Sequence, residues 1–222
     1  MDQGPQIDWT EDGVPVSRAH ADPYFSLKGG LAEARHVFLQ GTGLPQRFRP
    51  GFRIAELGVG TGLNLLAAWA AWRAAGAAGR LRYTGFEAAP LAAADMDRAL
   101  AAFPELAPLA VWWRAGWRAG ARRIEAPGLV AEIVVGDARE TVPRWPRAAD
   151  AWFLDGFAPA RNPEMWDPDL LAAVARRMTP NGRLATYSAA GVVRRALQEA
   201  GVATERRPGI AGKRHMTVGW RA

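Results

Sequence analysis

From residue 52 onward the chain alternates short apolar runs with longer mixed stretches. Phe52 to Leu57, Leu81 to Phe86, Glu132 to Val135, Ala151 to Leu154 and Arg183 to Tyr187 are short and mostly apolar, each followed by a polar or glycine-rich break. Such runs read as strands buried on both faces. Between them lie helical stretches at Leu63 to Ala75, Ala89 to Phe103, Asp169 to Met178 and Val192 to Ala200. The βαβ succession predicts a doubly wound α/β sheet. Toward the end the rhythm changes. Val202 to Arg206 and Met216 to Trp220 are strand-like and joined by a Pro/Gly loop with no helix between, which predicts an antiparallel hairpin.

The expected architecture is one domain over residues 51–222, a mostly parallel seven-stranded sheet ending in that hairpin. Residues 1–50 are expected as an N-terminal extension, irregular apart from a short helix over Ala32 to Leu39. Pro104 to Gly128 fits no element cleanly. Its VWWRAGWRAG sets Trp112, Trp113 and Trp117 among Arg114 and Arg118. Either this is an amphipathic helix covering the core, or its rings stack on bases and its cations ride on phosphates.

Composition narrows the classes. No uncharged apolar run approaches the roughly 20 residues that span a bilayer, and MDQGPQIDW lacks the basic-then-apolar order of a secretory signal. The chain has no cysteine, which rules out disulfides and thiolate metal sites and suits the cytoplasm. His20, His36 and His215 are isolated, without metal-ligand spacing, so no catalytic metal is expected. The net charge of +6 is compatible with an anionic partner such as RNA, and also with compositional bias, since it is mostly scattered arginine.

Two motifs carry chemistry. ELGVGTG, Glu56 to Gly62, follows the first strand and leads into a helix. Its glycines permit a sharp turn and close approach of a ligand to the backbone. The dinucleotide fingerprint fails at Leu63, or at Leu65 in the other register, and no P-loop Gly-Lys-Ser/Thr follows. What remains resembles the first motif of the class I S-adenosylmethionine methyltransferases. That cofactor carries a sulfonium and no phosphate, so its pocket wants acids. Glu87 closes the second strand, where a carboxylate accepts ribose hydroxyls, and Asp137 closes the third, near the adenine or as a helix cap. The second motif is DAWFLDGFAPARNPEMW, Asp150 to Trp166. Here Asp155 emerges at the end of the fourth strand, placed to accept an N–H and to stabilise positive charge growing on an attacked nitrogen. Gly156 and Pro159 shape the following loop and Phe157 is placed to pack on a base. Asn162-Pro163 and Asp167-Pro168 both read as helix caps.

Taken in order, DGVPVSRAHADPYFS, GLAEARHVFLQG, ELGVGTGLN, DAWFLDGFAPARNPEMW, SAAGVVRRALQEAG and GKRHM resemble the MnmC methyltransferase domain, also met as the stand-alone enzyme MnmD, over Asp12 to Gly219. The resemblance implies methylation of the amine of 5-aminomethyluridine, thiolated or not, at the wobble position of tRNA. It implies S-adenosylmethionine contacts from Glu56, Gly58, Gly60, Gly62, Asn64, Glu87, Asp137, Ala138 and Asp155, with Asp155 orienting the amine. Tyr24 and Phe25 would close the pocket, and Arg194, Arg195, Lys213 and Arg214 would face RNA. Ala88, Val59 and the Gly41-Thr42 pair depart from the family's usual lysine, phenylalanine and Gly-Asn. The fused family members carry a flavin-dependent oxidase domain for which this chain has no room, so the aminomethyl substrate is expected to be made elsewhere. A monomer is expected. Methylation of a small-molecule or protein amine, and a catalytically silent RNA-binding protein of the same fold, stay open as alternatives.

Overall fold

The computed structural model describes residues 4–221, so the first three residues of the expected extension, part of the stretch read against a secretory signal, lie outside the described residues. The extension is more ordered than expected. β1 (Ile7–Trp9), β2 (Pro15–Ser17) and β3 (Asp22–Pro23) form a small antiparallel sheet. The short helix is a turn of α-helix, α1 (Gly30–Glu33), running into a wider π-helical segment, Ala34–Gln40. Strands of two or three residues are too short to leave an alternation that sequence can show.

The main sheet has one strand more than expected. β4 (Arg53–Leu57), β5 (Leu81–Glu87), β6 (Arg123–Ala126), β7 (Leu129–Val135), β8 (Ala149–Leu154), β9 (Met178–Thr186), β10 (Ala203–Pro208) and β11 (His215–Trp220) lie in the order β10-β11-β9-β8-β4-β5-β7-β6. The strands β9, β8, β4, β5 and β7 pair parallel. β10 and β11 close one edge as the expected antiparallel hairpin. The extra strand, β6, pairs antiparallel with β7 at the other edge and corrects the seven-stranded expectation to eight. It comes from the stretch that fitted no element: Ile124 and Ala126 face inward while Arg123 and Glu125 face water.

Helices α2 (Leu63–Ala74), α3 (Ala93–Leu100) and α4 (Ala107–Arg118) cover one face of the sheet, with the Ala34–Gln40 segment. On the opposite face lie α5 (Ala138–Arg144), α6 (Pro168–Arg176) and α7 (Gly191–Glu199). α2 is apolar nearly all round because it is buried between the sheet and other helices, as Trp69 and Trp72 show. α6 starts as expected: Asp167 accepts from the Asp169 and Leu170 backbone N–H groups, with Pro168 at the first helical position. Asn162 makes no such side-chain bond, and only a 3₁₀ turn, Pro163–Trp166, follows it.

The tryptophan-arginine stretch is the covering helix α4. Trp113 and Trp117 point into the core and Trp117 Nε1 donates to the Leu91 carbonyl at 2.9 Å. Arg114 and Arg118 both pair with Asp97 of α3. Of the three rings only Trp112 is exposed, so the stretch offers no interleaved stacking surface. Truncating Trp113 to alanine would cost about 3–5 kcal/mol.

Candidate active site

Register fixes the site. Leu57 of β4 stands level with Phe86 of β5 and with Leu154 of β8. The next residue of each strand, Gly58, Glu87 and Asp155, therefore emerges side by side at the carboxyl edge. β4 and β8 flank the point where strand order reverses, which is where open α/β sheets bind ligands.

The turn after β4 runs through Gly58 (φ 73°), Gly60 (φ 51°) and Gly62 (φ 80°). A Cβ at Gly58 would press on the Asp155 carbonyl oxygen at 3.2 Å, and one at Gly62 would collide with the Trp113 indole. Gly62 is thus held by core packing. The turn is braced by Glu87, whose Oε2 accepts the Gly60 N–H and whose Oε1 accepts the Ala89 N–H, both at 2.9 Å. Burial raises the Glu87 carboxyl and these backbone donors pull it back.

Behind the turn lies a polar chain. Asn64 Nδ2 donates to Glu56 Oε1 and to Asp155 Oδ2, at 2.7 Å each, and the Tyr83 hydroxyl donates to Glu56 Oε2 at 2.8 Å. Burial, reinforced by the Asp155 charge, pushes Glu56 well above the usual carboxylate range. Asp155 Oδ1 accepts the Gly156 N–H at 2.8 Å. Burial raises the Asp155 carboxyl to about 7; Glu33 adds to the rise, while the Gly156 and Asn64 hydrogen bonds and Lys213 oppose it.

These groups open onto a cavity of about 460 Å³. Among the residues expected at the site, Tyr24, Phe25, Gly58, Gly60, Asn64, Glu87, Ala138, Asp155, Phe157 and Lys213 line it. The others do not. Glu56 is fully buried behind Asn64, and Gly62 faces Trp113. Asp137 caps α5 by accepting the Arg139 N–H at 2.8 Å, and its carboxylate is also taken by the Arg139 guanidinium. Pro159, Arg194 and Arg214 lie away from the cavity wall, with Arg214 and Arg195 exposed.

Sequence reasoning passed over several groups that do line it. His20 stacks on Phe157 with ring centroids 4.6 Å apart, and Tyr24 meets the same ring edge-on at 5.1 Å. Asp22 Oδ2 accepts the Ala158 N–H at 2.8 Å, stitching the N-terminal arm to the loop after Asp155. Glu33 of α1 pairs with Lys213 of the β10–β11 loop at 2.6 Å, and the Tyr187 hydroxyl donates to the Gly156 carbonyl at 2.7 Å. These contacts join positions far apart in the chain, so no local motif announces them. Among the described residues no group of three or more His, Asp or Glu side chains is placed to hold a metal, and no helix is long and apolar enough to cross a membrane.

The reversed strand order beneath the cavity and the closing hairpin define the class I methyltransferase architecture. The profile of a family described as S-adenosyl-L-methionine-dependent methyltransferase matches residues 108–222. The chain belongs to that family, and its cofactor is S-adenosylmethionine. It is 46% identical over 228 aligned residues to the Pseudomonas aeruginosa protein named tRNA 5-methylaminomethyl-2-thiouridine biosynthesis bifunctional protein MnmC, covering 98% of this chain and 35% of that one. The protein of the same name from Caulobacter vibrioides is 45% identical over 221 residues, covering 96% and 37%. The chain thus spans about a third of the length of these relatives. The crystal structure of MNMC2 from Aquifex aeolicus superposes with a TM-score of 0.76 at 25% identity, covering 98% of this chain and 70% of that one. A precorrin-6y C5,15-methyltransferase from Geobacter metallireducens shares the fold, with a TM-score of 0.54 at 13% identity over 99% of this chain and 100% of that one.

Proposed function

We propose that this methyltransferase acts on tRNA, methylating the amine of 5-aminomethyluridine, with or without 2-thiolation, at the wobble position. The observation that carries an amine acceptor is Asp155: a carboxylate fixed by two hydrogen bonds, facing the cavity at the switch point and raised to about 7. The names of the MnmC relatives support a tRNA uridine as its bearer, and the net charge of +6 fits a polyanion.

The cavity suits the cofactor. Glu33, Glu87 and Asp155 line it, lysines 28 and 213 are its only Lys or Arg residues among those described, and the glycine turn offers backbone without phosphate-binding chemistry. When bound, S-adenosylmethionine supplies the methyl group on a positively charged sulfur. Each Glu87 oxygen already holds one N–H and keeps acceptor capacity for a ribose hydroxyl. Tyr24 and Phe25 bring the N-terminal arm over the cavity, and Phe157 with His20 offers an aromatic surface to the base.

An alkylamine arrives largely protonated and is no nucleophile until a proton leaves. An ordinary aspartate near pKa ~3.9 is a poor acceptor for it, whereas Asp155 at about 7 is matched to neutral pH. It takes the proton, passes it to water, and as a carboxylate accepts a remaining N–H, aligning the lone pair and stabilising the charge that develops on nitrogen. On this reading the protein works in the cytoplasm, as a monomer, on a uridine whose aminomethyl group a flavin-dependent oxidase has exposed. Methyl label from S-adenosylmethionine is expected to enter acid-precipitable tRNA and to be lost when the tRNA is digested with ribonuclease beforehand. Undiminished labelling of a small amine in the digested pool would overturn the tRNA acceptor.

A further inference from the structure

Lys213 differs from the other basic residues grouped with it on the RNA-facing side. Arg194 and Arg214 lie off the cavity wall, but Lys213 is part of it. Its ammonium is fixed from two directions: Nζ bonds Glu33 Oε1 at 2.6 Å and sits 3.8 Å from the centroid of the Tyr187 ring. Tyr187 in turn donates through its hydroxyl to the Gly156 carbonyl at 2.7 Å. An unbroken path of contacts therefore runs from Asp155 through Gly156 and Tyr187 to Lys213 and Glu33, and it sets the ammonium at a fixed offset from the catalytic carboxylate. Glu33 is buried, and Lys213 is its only side-chain partner among the described residues.

A lysine ammonium has three donors. One goes to Glu33 and the Tyr187 face takes a second direction, which leaves one for the cavity. We propose that Lys213 is a specificity-determining residue that donates this hydrogen to a carbonyl oxygen of the acceptor ring, the one beside the carbon bearing the aminomethyl arm. The inference rests on the tRNA-uridine reading above. In a uracil ring that carbonyl is the immediate neighbour of the arm, so one acceptor offers the amine to Asp155 and the oxygen to Lys213 together. In cytosine the same position carries an amino group, which presents hydrogens to an ammonium and is repelled. A pocket that hydrogen-bonds one ring atom rejects an analogue with the wrong polarity there far more strongly than one differing only in bulk.

The test uses two anticodon stem-loop RNAs, one with 5-aminomethyluridine and one with 5-aminomethylcytidine at the wobble position. The full chain and two variants are compared: Lys213→Met, and the double variant Glu33→Gln/Lys213→Met, which leaves no unpaired buried carboxylate if the single variant folds poorly. Wild type is expected to favour the uridine RNA by tenfold or more in kcat/KM. Both variants are expected to lose at least tenfold on the uridine RNA and little on the cytidine RNA, with S-adenosylmethionine affinity unchanged, so the preference collapses. Lys213→Arg, which keeps donor and charge, is expected to retain most of it. Equal losses on both RNAs, or an unchanged preference in the double variant, would make the pair a latch between the hairpin loop and the N-terminal arm and overturn the proposal. No turnover of the uridine RNA by wild type would instead overturn the tRNA reading itself.

Discussion

Asn64 and Asp155 are joined by a 2.7 Å hydrogen bond from the Asn64 amide, whose other hydrogen is held by Glu56. The Asp155 carboxylate is therefore oriented by the first turn of the helix that follows the glycine loop, which ties that loop to the end of β8. Glu56, first in the glycine motif, serves as the buried anchor of that arrangement, with Tyr83 on its far oxygen.

On the proposed mechanism, Asp155→Ala removes a contact that matters most in the transition state. Turnover is expected to fall by about 10²–10³-fold while S-adenosylmethionine affinity changes only a few-fold. Single-turnover rates and calorimetric titration measure the two separately, and parallel loss of both would make Asp155 structural.

Asp155 also ties stability to pH. Its carboxyl is raised to about 7 by burial, so the cofactor-free folded protein holds that proton more tightly than the unfolded chain does. The stability this contributes is full below the ordinary aspartate value of about 4 and is lost as pH rises to about 7. The melting temperature of Asp155→Asn relative to wild type is expected to climb in the variant's favour from pH 4 to 7 and to level off above. A flat difference across that window in thermal melts would contradict a raised Asp155.

Gly62→Ala places a Cβ against the Trp113 indole at a backbone φ of 80°. A cost of about 2–4 kcal/mol is expected in urea unfolding. Gly76→Ala is the control: φ is +60°, nothing lies within 4 Å of the added Cβ, and about 1 kcal/mol is expected. Equal costs would remove packing on Trp113 as the reason for Gly62.

Glu87→Ala is expected to weaken S-adenosylmethionine binding at least tenfold, because it deletes the proposed ribose acceptor and unbraces the Gly60 N–H. RNA affinity, read by filter binding, should stay within about twofold. A variant that binds the cofactor normally would move the ribose elsewhere in the cavity.

The parallel strands and the acids at their ends were legible because they are local: a short apolar run, then a glycine or an acid, with neighbouring strands bringing Glu87 and Asp155 level with Gly58. A strand-end acid and a helix cap look alike in sequence; of the two roles open for Asp137, the helix cap is the one the structure shows, with the carboxylate also engaged by Arg139. β6 was missed because four alternating residues after a tryptophan-rich helix leave little signal. Glu33 and Asp22 left no local signal because their partners, Lys213 and Ala158, lie more than a hundred residues away, and Tyr187 left none because it acts through Gly156, 31 residues back on a neighbouring strand end.

The central claim is tested most directly by incubating the purified protein and S-adenosylmethionine with tRNA from cells lacking the endogenous methyltransferase, then digesting the tRNA and identifying its nucleosides by mass spectrometry. Conversion of 5-aminomethyluridine, thiolated or not, into its methylaminomethyl form is expected, and it would be lost in Asp155→Ala. Unchanged 5-aminomethyluridine despite calorimetric proof of cofactor binding would contradict the account, leaving a methyltransferase whose acceptor is some other amine.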